Sequence, residues 1–204
     1  GLNNLAAITS DQFSPILVNG RILKSINQWY NKCPSKRNGN KRYFRIENYF
    51  HHVSKMIIEL CLKNNCGTII IGKNDSWKQG MNLGKKTNQN FQYIPFCRLI
   101  EKINYKAELF GIKIVLTEES YTSKASFLDR DTLPKYEQGV KHVFSGKRVK
   151  RGLYCASDGR LLNSDVNGSC NIGRKVIQNE EVILGLDRSV AATPVRVNPL
   201  RIST

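Results

Sequence analysis

The stretch I-K-I-V-L-T-E-E, residues 112–119, decides the fold. Its apolar part, Ile112–Leu116, follows a helical pattern of apolar residues over Phe96–Phe110. The run Thr68–Ile71 follows a second such pattern over Tyr43–Asn64. Short apolar runs of this kind are typical of parallel strands that are covered on both faces. The alternation of strands and helices therefore predicts an α/β fold with parallel strands.

The beginning of the chain predicts antiparallel strands before this α/β part. Leu5–Thr9 and Pro15–Val18 are short apolar runs, and the Asn19-Gly20 pair after the second run is typical of a hairpin turn. We expect a meander of two or three strands that closes near Arg21–Leu23. The segment Pro34–Lys41, P-S-K-R-N-G-N-K, is expected to form a basic loop.

The last third of the chain predicts short hairpin strands and one more helix. The strands are expected over Phe144–Cys155 and Gly159–Leu162, and Asn163–Asp165 is expected to cap a helix over Val166–Ile177. The remaining residues, 178–204, have no clear hydrophobic period. They are expected to form an extended strap or a frayed tail.

The charge of the chain predicts a polyanionic partner. It contains 32 Lys and Arg against 16 Asp and Glu, a net charge of +16, and the excess is spread from Arg21 to Arg201. Nucleic acid is the most common polyanion for such a protein, and a membrane surface or an acidic protein are the alternatives. No apolar run approaches the ~20 residues that span a bilayer, and no signal peptide is recognised.

Basic residues interleaved with aromatic residues are candidates for nucleic-acid binding, because phosphates are neutralised by cations and bases stack on rings. The alternative is an ordinary solvated surface. The candidates, expected in loops and hairpins, are Lys36, Arg37, Lys41, Arg42, Trp77, Lys147, Arg148, Lys150 and Arg151. The three histidines, His51, His52 and His142, have no partner spacing and are assigned no metal role.

Three acids are candidates for a catalytic metal site. Glu118 and Glu119 stand at the C-terminal end of a predicted strand, and Asp165 stands at the start of a predicted helix. On its own, each position also fits a simpler role, as a polar strand end or an N-cap. Ligands of α/β folds bind beyond the carboxyl ends of parallel strands, and clustered carboxylates are suited to Mg²⁺.

Several stretches of the chain, and the order of its predicted elements, are similar to those of one nuclease family. The order of predicted elements is that of the RNase H-like (RuvC) nuclease fold. The opening G-L-N-N-L-A-A-I-T resembles the residues after the first catalytic Asp in the family pattern Asp-x-Gly. The other similar stretches are K-R-Y-F-R-I-E-N-Y-F-H-H-V-S-K (41–55), I-I-I-G-K-N-D-S-W-K-Q-G-M-N-L-G-K (69–85), E-E-S-Y-T-S-K-A-S-F-L-D (118–129), F-S-G-K-R-V-K-R-G-L-Y (144–154) and N-S-D-V-N-G-S-C-N-I-G-R-K (163–175). Together they resemble the TnpB (OrfB) transposon-encoded RNA-guided nucleases, which are related to type V CRISPR effectors.

The resemblance implies an assignment for each acid. Asp165 matches the third catalytic Asp, and the first would lie two residues before Gly1. The second acid of the family usually ends the strand that here ends in Gly72, and Asp75 comes three residues late. Some members take this acid from the neighbouring strand, which implies that Glu118 or Glu119 fills the role. The expected metal ligands are Glu119 and Asp165, for Mg²⁺.

The resemblance also implies that a zinc site is missing. Most members carry a four-cysteine zinc ribbon, but here Ala125–Leu128 replaces the first pair, and only Cys155 remains of the second. Among the six cysteines there is no Cys-x-x-Cys pair, so no zinc is expected. The expected division is an RNase H-like core over 1–119, a degenerate zinc-ribbon-like hairpin insertion over 120–164, a final core helix over 165–177 and the tail.

The expected function is that of the C-terminal part of a transposon-encoded, RNA-guided DNA endonuclease that serves DNA transposition and recombination. Its expected partners are DNA and a guide RNA, and its expected location is the cytoplasm of a prokaryote, at the nucleoid. Without the first Asp, the chain as given is expected to bind nucleic acid but not to cut it. The alternatives are a nuclease-dead nucleic-acid-binding protein, a remnant of a decayed element, or a basic domain that binds an acidic protein.

Overall fold

The computed structural model describes residues 3–73, 94–190 and 193–201. These residues form eight strands and five α-helices. The first seven elements in chain order are β1 Asn4–Ile8, β2 Ile16–Asn19, α1 Arg21–Lys32, α2 Lys36–Lys63, β3 Thr68–Gly72, α3 Phe96–Leu109 and β4 Lys113–Thr117. The remaining elements are β5 Lys147–Lys150, β6 Leu153–Cys155, β7 Leu161–Asn163, α4 Ser164–Arg174, α5 Glu180–Val190, β8 Val195–Val197 and a 3-10 turn, Pro199–Arg201.

The described strands form three small sheets. The strand β1 pairs antiparallel with β2, and β8 pairs parallel with the other edge of β2. The strands β3 and β4 are parallel, and their register places Gly72 beside Thr117. The hairpin strands β5, β6 and β7 form an antiparallel sheet. The mixed α/β architecture with an antiparallel start is therefore confirmed.

One hydrophobic core joins the first two sheets. The helix α2 contributes Phe50 and Val53, both with no exposed surface, and this cluster contacts Leu5 of β1 as well as Ile69 and Ile71 of β3. Burial of these side chains is the main favourable term for the fold. The three isoleucines of β3 are only half-buried, although full burial was expected. Within the described residues, β3 pairs with β4 alone, so its other edge lacks the cover that a central strand has.

Two predictions about the first forty residues are wrong. The pair Asn19-Gly20 begins α1 instead of a hairpin, because the Asn19 side-chain oxygen accepts a hydrogen bond from the Arg21 N–H at 3.0 Å. No third strand therefore forms at Arg21–Leu23. The expected basic loop is mostly helical, because Ser35 caps α2: its hydroxyl accepts a hydrogen bond from the Asn38 N–H at 3.1 Å.

The hairpin strands of the last third are confirmed, but the helix cap is not Asp165. The Asn163 side-chain oxygen accepts hydrogen bonds from the N–H groups of Asp165 (2.9 Å) and Val166 (3.3 Å). Asp165 is instead the second residue of α4, and its side chain is not used for capping. The helix also begins earlier than expected.

The predicted strap over residues 178–204 contains a helix and a strand. Ile183, Leu186 and Val190 of α5 are buried against Leu17 and Phe127. Among the described helices, none is both long and apolar enough to cross a membrane. The division of the chain into domains stays a prediction.

Hydrogen bonds and packing hold together residues 120–164, the predicted insertion, for which no zinc is expected. Phe127 and Tyr154 are fully buried. The Asp131 carboxylate accepts a 2.6 Å hydrogen bond from the Ser145 hydroxyl, and the Asp129 carboxylate accepts one of 3.0 Å from the Ser157 N–H. Burial alone would raise the pKa of Asp129, but hydrogen bonds from Ser126 and Ser157 outweigh it and lower that pKa.

Candidate functional site

Glu118 is held by a lysine at the C-terminal end of the neighbouring helix α4. Its carboxylate forms an ion pair with Lys175, which follows α4, and accepts a 2.7 Å hydrogen bond from the Ser120 N–H. Burial alone would raise the pKa of Glu118, but the hydrogen bonds from Lys175 and Ser120 outweigh it and lower the pKa below its usual range. Glu118 is therefore a poor candidate for a metal ligand, since its charge is already neutralised.

Glu119 points the other way, toward the end of β3. Its Oε1 lies 2.5 Å from the point that a Cβ atom of residue 72 would occupy, and Ile172 Cδ1 lies 2.6 Å from the same point. Only glycine leaves this space open. The carboxylate of Glu119, carried by the end of β4, thus occupies the volume into which a side chain at the end of β3 would project.

Asp165 lies on the first turn of α4 and contacts β1. The Asn4 Nδ2 donates a 2.7 Å hydrogen bond to Asp165 Oδ2. The other amide atom, Asn4 Oδ1, is buried and has no hydrogen-bond partner within the described part of the chain. A buried acceptor without a partner costs free energy, and a cation bound beside Asp165 would give it one.

The two candidate metal ligands, Asp165 and Glu119, lie beside different turns of α4. The helix contacts β1 through Ser169, whose hydroxyl donates to the Ala7 carbonyl at 3.2 Å, and contacts β3 through Ile172 at Gly72. Asp165 and Ile172 are two turns apart on one helix face, or about 10 Å along the axis. The structure therefore places Asp165 near one end of this face and Glu119 near the other.

The chemistry of these groups fits Mg²⁺, but the set is incomplete. Carboxylates and an amide oxygen are the hard ligands that Mg²⁺ prefers. In residues 3–73, 94–190 and 193–201, however, no group of three or more His, Cys, Asp or Glu side chains could hold a metal ion. Magnesium binding by Glu119 and Asp165 thus stays a prediction. Asp75, the other acid near the end of β3, lies outside the described residues.

The turn that follows Glu119 is tight and well anchored. Tyr121 adopts a φ of 60°, which is uncommon for a residue other than glycine. The Thr122 hydroxyl donates to the Glu119 carbonyl at 2.9 Å, and the buried Asn171 of α4 donates to the carbonyls of Thr122 and Ala125. These hydrogen bonds fix the direction in which Tyr121 projects.

A second buried amide, Asn167, holds the same turn and was not anticipated. Its Nδ2 donates to the Ala125 carbonyl at 2.8 Å, and its Oδ1 accepts from the Phe127 N–H at 3.0 Å. In the sequence, Asn167 and Asn171 are four residues apart among the apolar positions of the helix. Polar residues with this spacing on a buried face indicate hydrogen-bonding partners across the interface.

Two open clefts lie beside this turn. The first, of about 740 Å³, extends from Glu119 past Tyr121 and Lys124 to Lys141 and His142. The second, of about 410 Å³, is lined by Lys124, Phe144, Lys147, Arg148 and Tyr154, among others. Since both clefts share Ser123 and Lys124, we describe them together as the aromatic groove.

The hairpin residues that were predicted to bind nucleic acid occupy two positions. Lys147 and Arg148 line the second cleft, and Arg148 also donates to the Ser164 hydroxyl at 3.0 Å. Lys150 and Arg151 are exposed at the turn between β5 and β6. The Tyr154 hydroxyl donates to the Lys124 carbonyl at 2.7 Å, and burial raises the pKa of Tyr154 to about 12.

The other predicted residues lie at the start of α2, not in a loop. Lys36, Arg37 and Lys41 are exposed there. Arg42 is half-buried: its Nε donates to Asn27 Oδ1 at 2.8 Å, and its guanidinium lies 5.2 Å from the centre of the Tyr30 ring. Trp77 lies outside the described residues. The structure therefore brings Lys147 and Arg148 to the clefts beside Glu119, and places the helical set on a separate element.

The chain is similar to Cas12f proteins in sequence and in fold. The family profile described as "Cas12f1-like, TNB domain" matches residues 96–172, which run from α3 to α4. The chain is 30% identical over 123 residues to the CRISPR-associated endodeoxyribonuclease Cas12f1 of Sulfoacidibacillus thermotolerans, covering 60% of this chain and 25% of that protein. It is 33% identical over 91 residues to Cas12f2 of Micrarchaeota archaeon (strain CG1_02_47_40), covering 45% of this chain and 16% of that protein.

A solved structure supports the fold. The cryo-EM structure of a Cas12f1–sgRNA–target DNA complex contains a chain that matches 87% of this chain with a TM-score of 0.59, at 18% identity and over 48% of its own length. The chain thus spans a quarter or less of the curated relatives and about half of the structural one. Together, the profile and the sequence similarities relate this chain to the Cas12f CRISPR-associated endodeoxyribonucleases.

Proposed function

We propose that the chain is the nuclease part of a TnpB-type RNA-guided DNA endonuclease with an RNase H-like (RuvC) core. The observation that carries the proposal is the placement of the Glu119 carboxylate over Gly72. It puts an acid at the carboxyl end of the parallel pair β3–β4, beside the helix that carries Asp165. Ligands of α/β folds bind at this edge.

In this proposal Asp165 and Glu119 would each hold Mg²⁺ at its own end of this helix face, with Asn4 Oδ1 as a neutral neighbour of Asp165 and a further acid from outside the described residues. When bound, Mg²⁺ polarises the phosphate and lowers the pKa of its water. Glu118 is not a metal ligand in this proposal, because its carboxylate is paired with Lys175 at the end of α4.

The aromatic groove would guide a single strand of nucleic acid toward Glu119. Lys124, Lys141 and Lys147 line it at positions suited to phosphates, and Tyr121 and Phe144 provide aromatic rings. Cations that follow the backbone, together with rings on which bases stack, are typical of proteins that bind single strands. The proposed partners are DNA and a guide RNA, by analogy with the Cas12f1 complex, which holds an sgRNA and a target DNA.

The proposed cellular role rests on the resemblance to TnpB-type proteins. TnpB-type proteins are encoded by transposons, so we place this chain in transposition or recombination of a mobile element, in a prokaryotic cytoplasm at the nucleoid. A second candidate function is nucleic-acid binding without cleavage. It is favoured by the incomplete ligand set, since the described residues contain no group of three metal ligands.

Binding of Mn²⁺, followed by electron paramagnetic resonance, tests the metal site without requiring cleavage. We expect Glu119→Gln and Asp165→Asn to weaken Mn²⁺ binding at least several-fold, because each removes an anionic ligand. Glu118→Gln is the matched control: it removes the adjacent charge but should leave Mn²⁺ affinity nearly unchanged. Equal losses in the two glutamate variants would contradict the assignment.

Nuclease assays then separate the two candidate functions. Cleavage of single-stranded DNA with Mg²⁺ by the chain extended to restore the Asp-x-Gly pattern before Leu2, if it is lost in Asp165→Asn, would establish the endonuclease. Salt-dependent binding without cleavage, in the presence of bound Mn²⁺, would favour the second function. Absence of any binding to DNA or RNA would contradict both.

A further inference from the structure

We propose that the first cleft, between Glu119 and His142, is a pocket for one unstacked nucleobase of the bound strand. The inference rests on the proposed function and adds a substrate contact to it. The base would stack on aromatic rings and bond to His142, while its phosphate would lie toward Glu119 and the lysines. The cleft volume of about 740 Å³ falls within the range of ~300–1,000 Å³ that small ligands occupy.

The first step of the argument is the aromatic cluster. The Tyr121 ring lies 4.9 Å from the His142 ring at 73°, and 5.7 Å from the Phe144 ring at 42°. Edge-to-face packing covers one face of one ring and leaves others available. Tyr136, which is 70% exposed, lies at the rim. A planar, apolar-faced ligand such as a nucleobase would complete this cluster.

The second step is an unpaired polar atom. His142 Nε2 is buried, and no hydrogen-bond partner for it occurs in the part of the chain that the structure describes. Buried polar atoms normally have a partner, so this one calls for a ligand or water. An imidazole nitrogen donates or accepts according to its tautomer, and the edges of bases offer both kinds of group. An aliphatic ligand would leave the nitrogen unsatisfied.

The third step is the backbone that holds Tyr121. Its φ of 60° is an uncommon conformation for a tyrosine, and such conformations are found where the surrounding structure imposes them, often at ligand sites. The hydrogen bonds from Ala125 and Lys124 N–H to the Tyr121 carbonyl, both 2.9 Å, maintain it. The ring is thereby presented to the cleft two residues after Glu119.

The last step is the charge around the pocket. Lys124 Nζ lies 5.9 Å from the centre of the Tyr121 ring, and Lys141 lines the same cleft. Two cations beside an aromatic pocket suit a nucleotide, whose phosphate and base are close together. An acidic peptide would form ion pairs with the lysines, but it would not combine stacking on the rings with a hydrogen bond to His142. The observations therefore favour a nucleotide.

The experiment compares two oligomers with equal backbone charge, an octamer of deoxythymidine and an octamer of abasic sugar-phosphate, in fluorescence anisotropy. For the unaltered chain we expect the thymidine octamer to bind about tenfold more tightly or more. His142→Ala and Tyr121→Asn should reduce this ratio at least threefold, and Asn is chosen because it tolerates a positive φ. His142→Gln should restore part of it, since it keeps a hydrogen-bonding group.

The controls separate this inference from the proposed function. Tyr105→Ala removes an exposed tyrosine of α3 and should leave the ratio unchanged. Equal binding of both octamers, or an unchanged ratio in folded His142→Ala protein, would overturn the pocket while the proposed function stands. Binding of an octaglutamate as tight as that of thymidine would also overturn it. Failure to bind any oligomer would count against the proposed function as well.

Discussion

Basic side chains have different surroundings in two regions of this molecule, the start of α2 and the aromatic groove. At the start of α2, Arg42 lies over Tyr30 and bonds to the buried Asn27, while Arg45 lies 4.7 Å from the centre of the Trp29 ring. In the aromatic groove, Lys124 and Lys147 line open clefts. The arginines thus pack within the fold, whereas both lysines line open clefts in which a ligand would meet them.

The difference separates stability from binding. A guanidinium that packs on a ring and bonds to a buried amide contributes to the free energy of folding. A lysine beside an open cleft contributes little to folding, because exposed charges are well solvated. Sequence alone assigned Arg42 and Lys147 alike to nucleic-acid binding, and only their surroundings distinguish them. Arg45 and Lys124 were not among the predicted residues.

The largest expected effect is loss of binding on removing charge from the groove. For the double variant Lys124→Ala/Lys147→Ala, we expect affinity for single-stranded DNA to fall roughly tenfold or more at low salt. The slope of log K against log salt should decrease by about 1.4, or ~0.7 for each lost phosphate contact. Titration at several salt concentrations measures both quantities.

The matched control is Lys36→Ala/Lys41→Ala, which removes two exposed charges from α2. It should change the salt slope less than the groove variant. A control that loses as much affinity as the groove variant would show that α2 contributes equally to the interface, and the comparison would then fail.

The next largest effect is on stability at Arg42. We expect Arg42→Ala to lower the free energy of unfolding by about 1–3 kcal/mol, because a hydrogen bond to the fully buried Asn27 and a cation–π contact are lost. Urea unfolding followed by circular dichroism measures it. Lys41→Ala, its exposed neighbour, should change stability by less than about 0.5 kcal/mol. Equal effects of the two variants would contradict the assigned role of Arg42.

The smallest expected effect is the loss of folding stability at low pH that results from protonation of Glu118. Because its pKa is lowered in the folded chain, its stabilising contribution is present above the unfolded-state value of ~4.3 and is lost as pH falls through the folded value. The chain should therefore lose stability below about pH 4.3, and Glu118→Gln should lose less over the same interval. Unfolding at pH 7 and at successively lower pH checks this. An identical pH dependence in both proteins would count against the ion pair with Lys175.

The parallel strands could be predicted because the pattern of hydrophobic residues in the sequence marks their positions. The runs Thr68–Ile71 and Ile112–Leu116 become the parallel strands β3 and β4, and the hairpin strands form near their predicted positions. The helix α5 was missed although Ile183, Leu186 and Val190 are three and four residues apart. This apolar stripe is short, and its partners, Leu17 and Phe127, are distant in the sequence.

The candidate site could be predicted only in part, because it depends on contacts between distant segments. The sequence did not show which of Glu118 and Glu119 is the metal ligand. In the structure, Glu118 pairs with Lys175, whereas the carboxylate of Glu119 lies beside Gly72. Asp165 was assigned an alternative capping role that Asn163 performs, since either residue type can cap a helix. His142 was given no metal role, and its place beside Tyr121 follows from the path of the insertion, which no local pattern determines.

The central claim is that the carboxylate of Glu119 occupies the space that a side chain at position 72 would fill. Exchange of the two residues tests it most directly, with Mn²⁺ affinity as the measurement. We expect Glu119→Gly to weaken Mn²⁺ binding at least several-fold, and the double variant Gly72→Glu/Glu119→Gly to recover most of it, because the new side chain enters the vacated space. Unchanged Mn²⁺ affinity in Glu119→Gly, or no recovery in a folded double variant, would contradict the account.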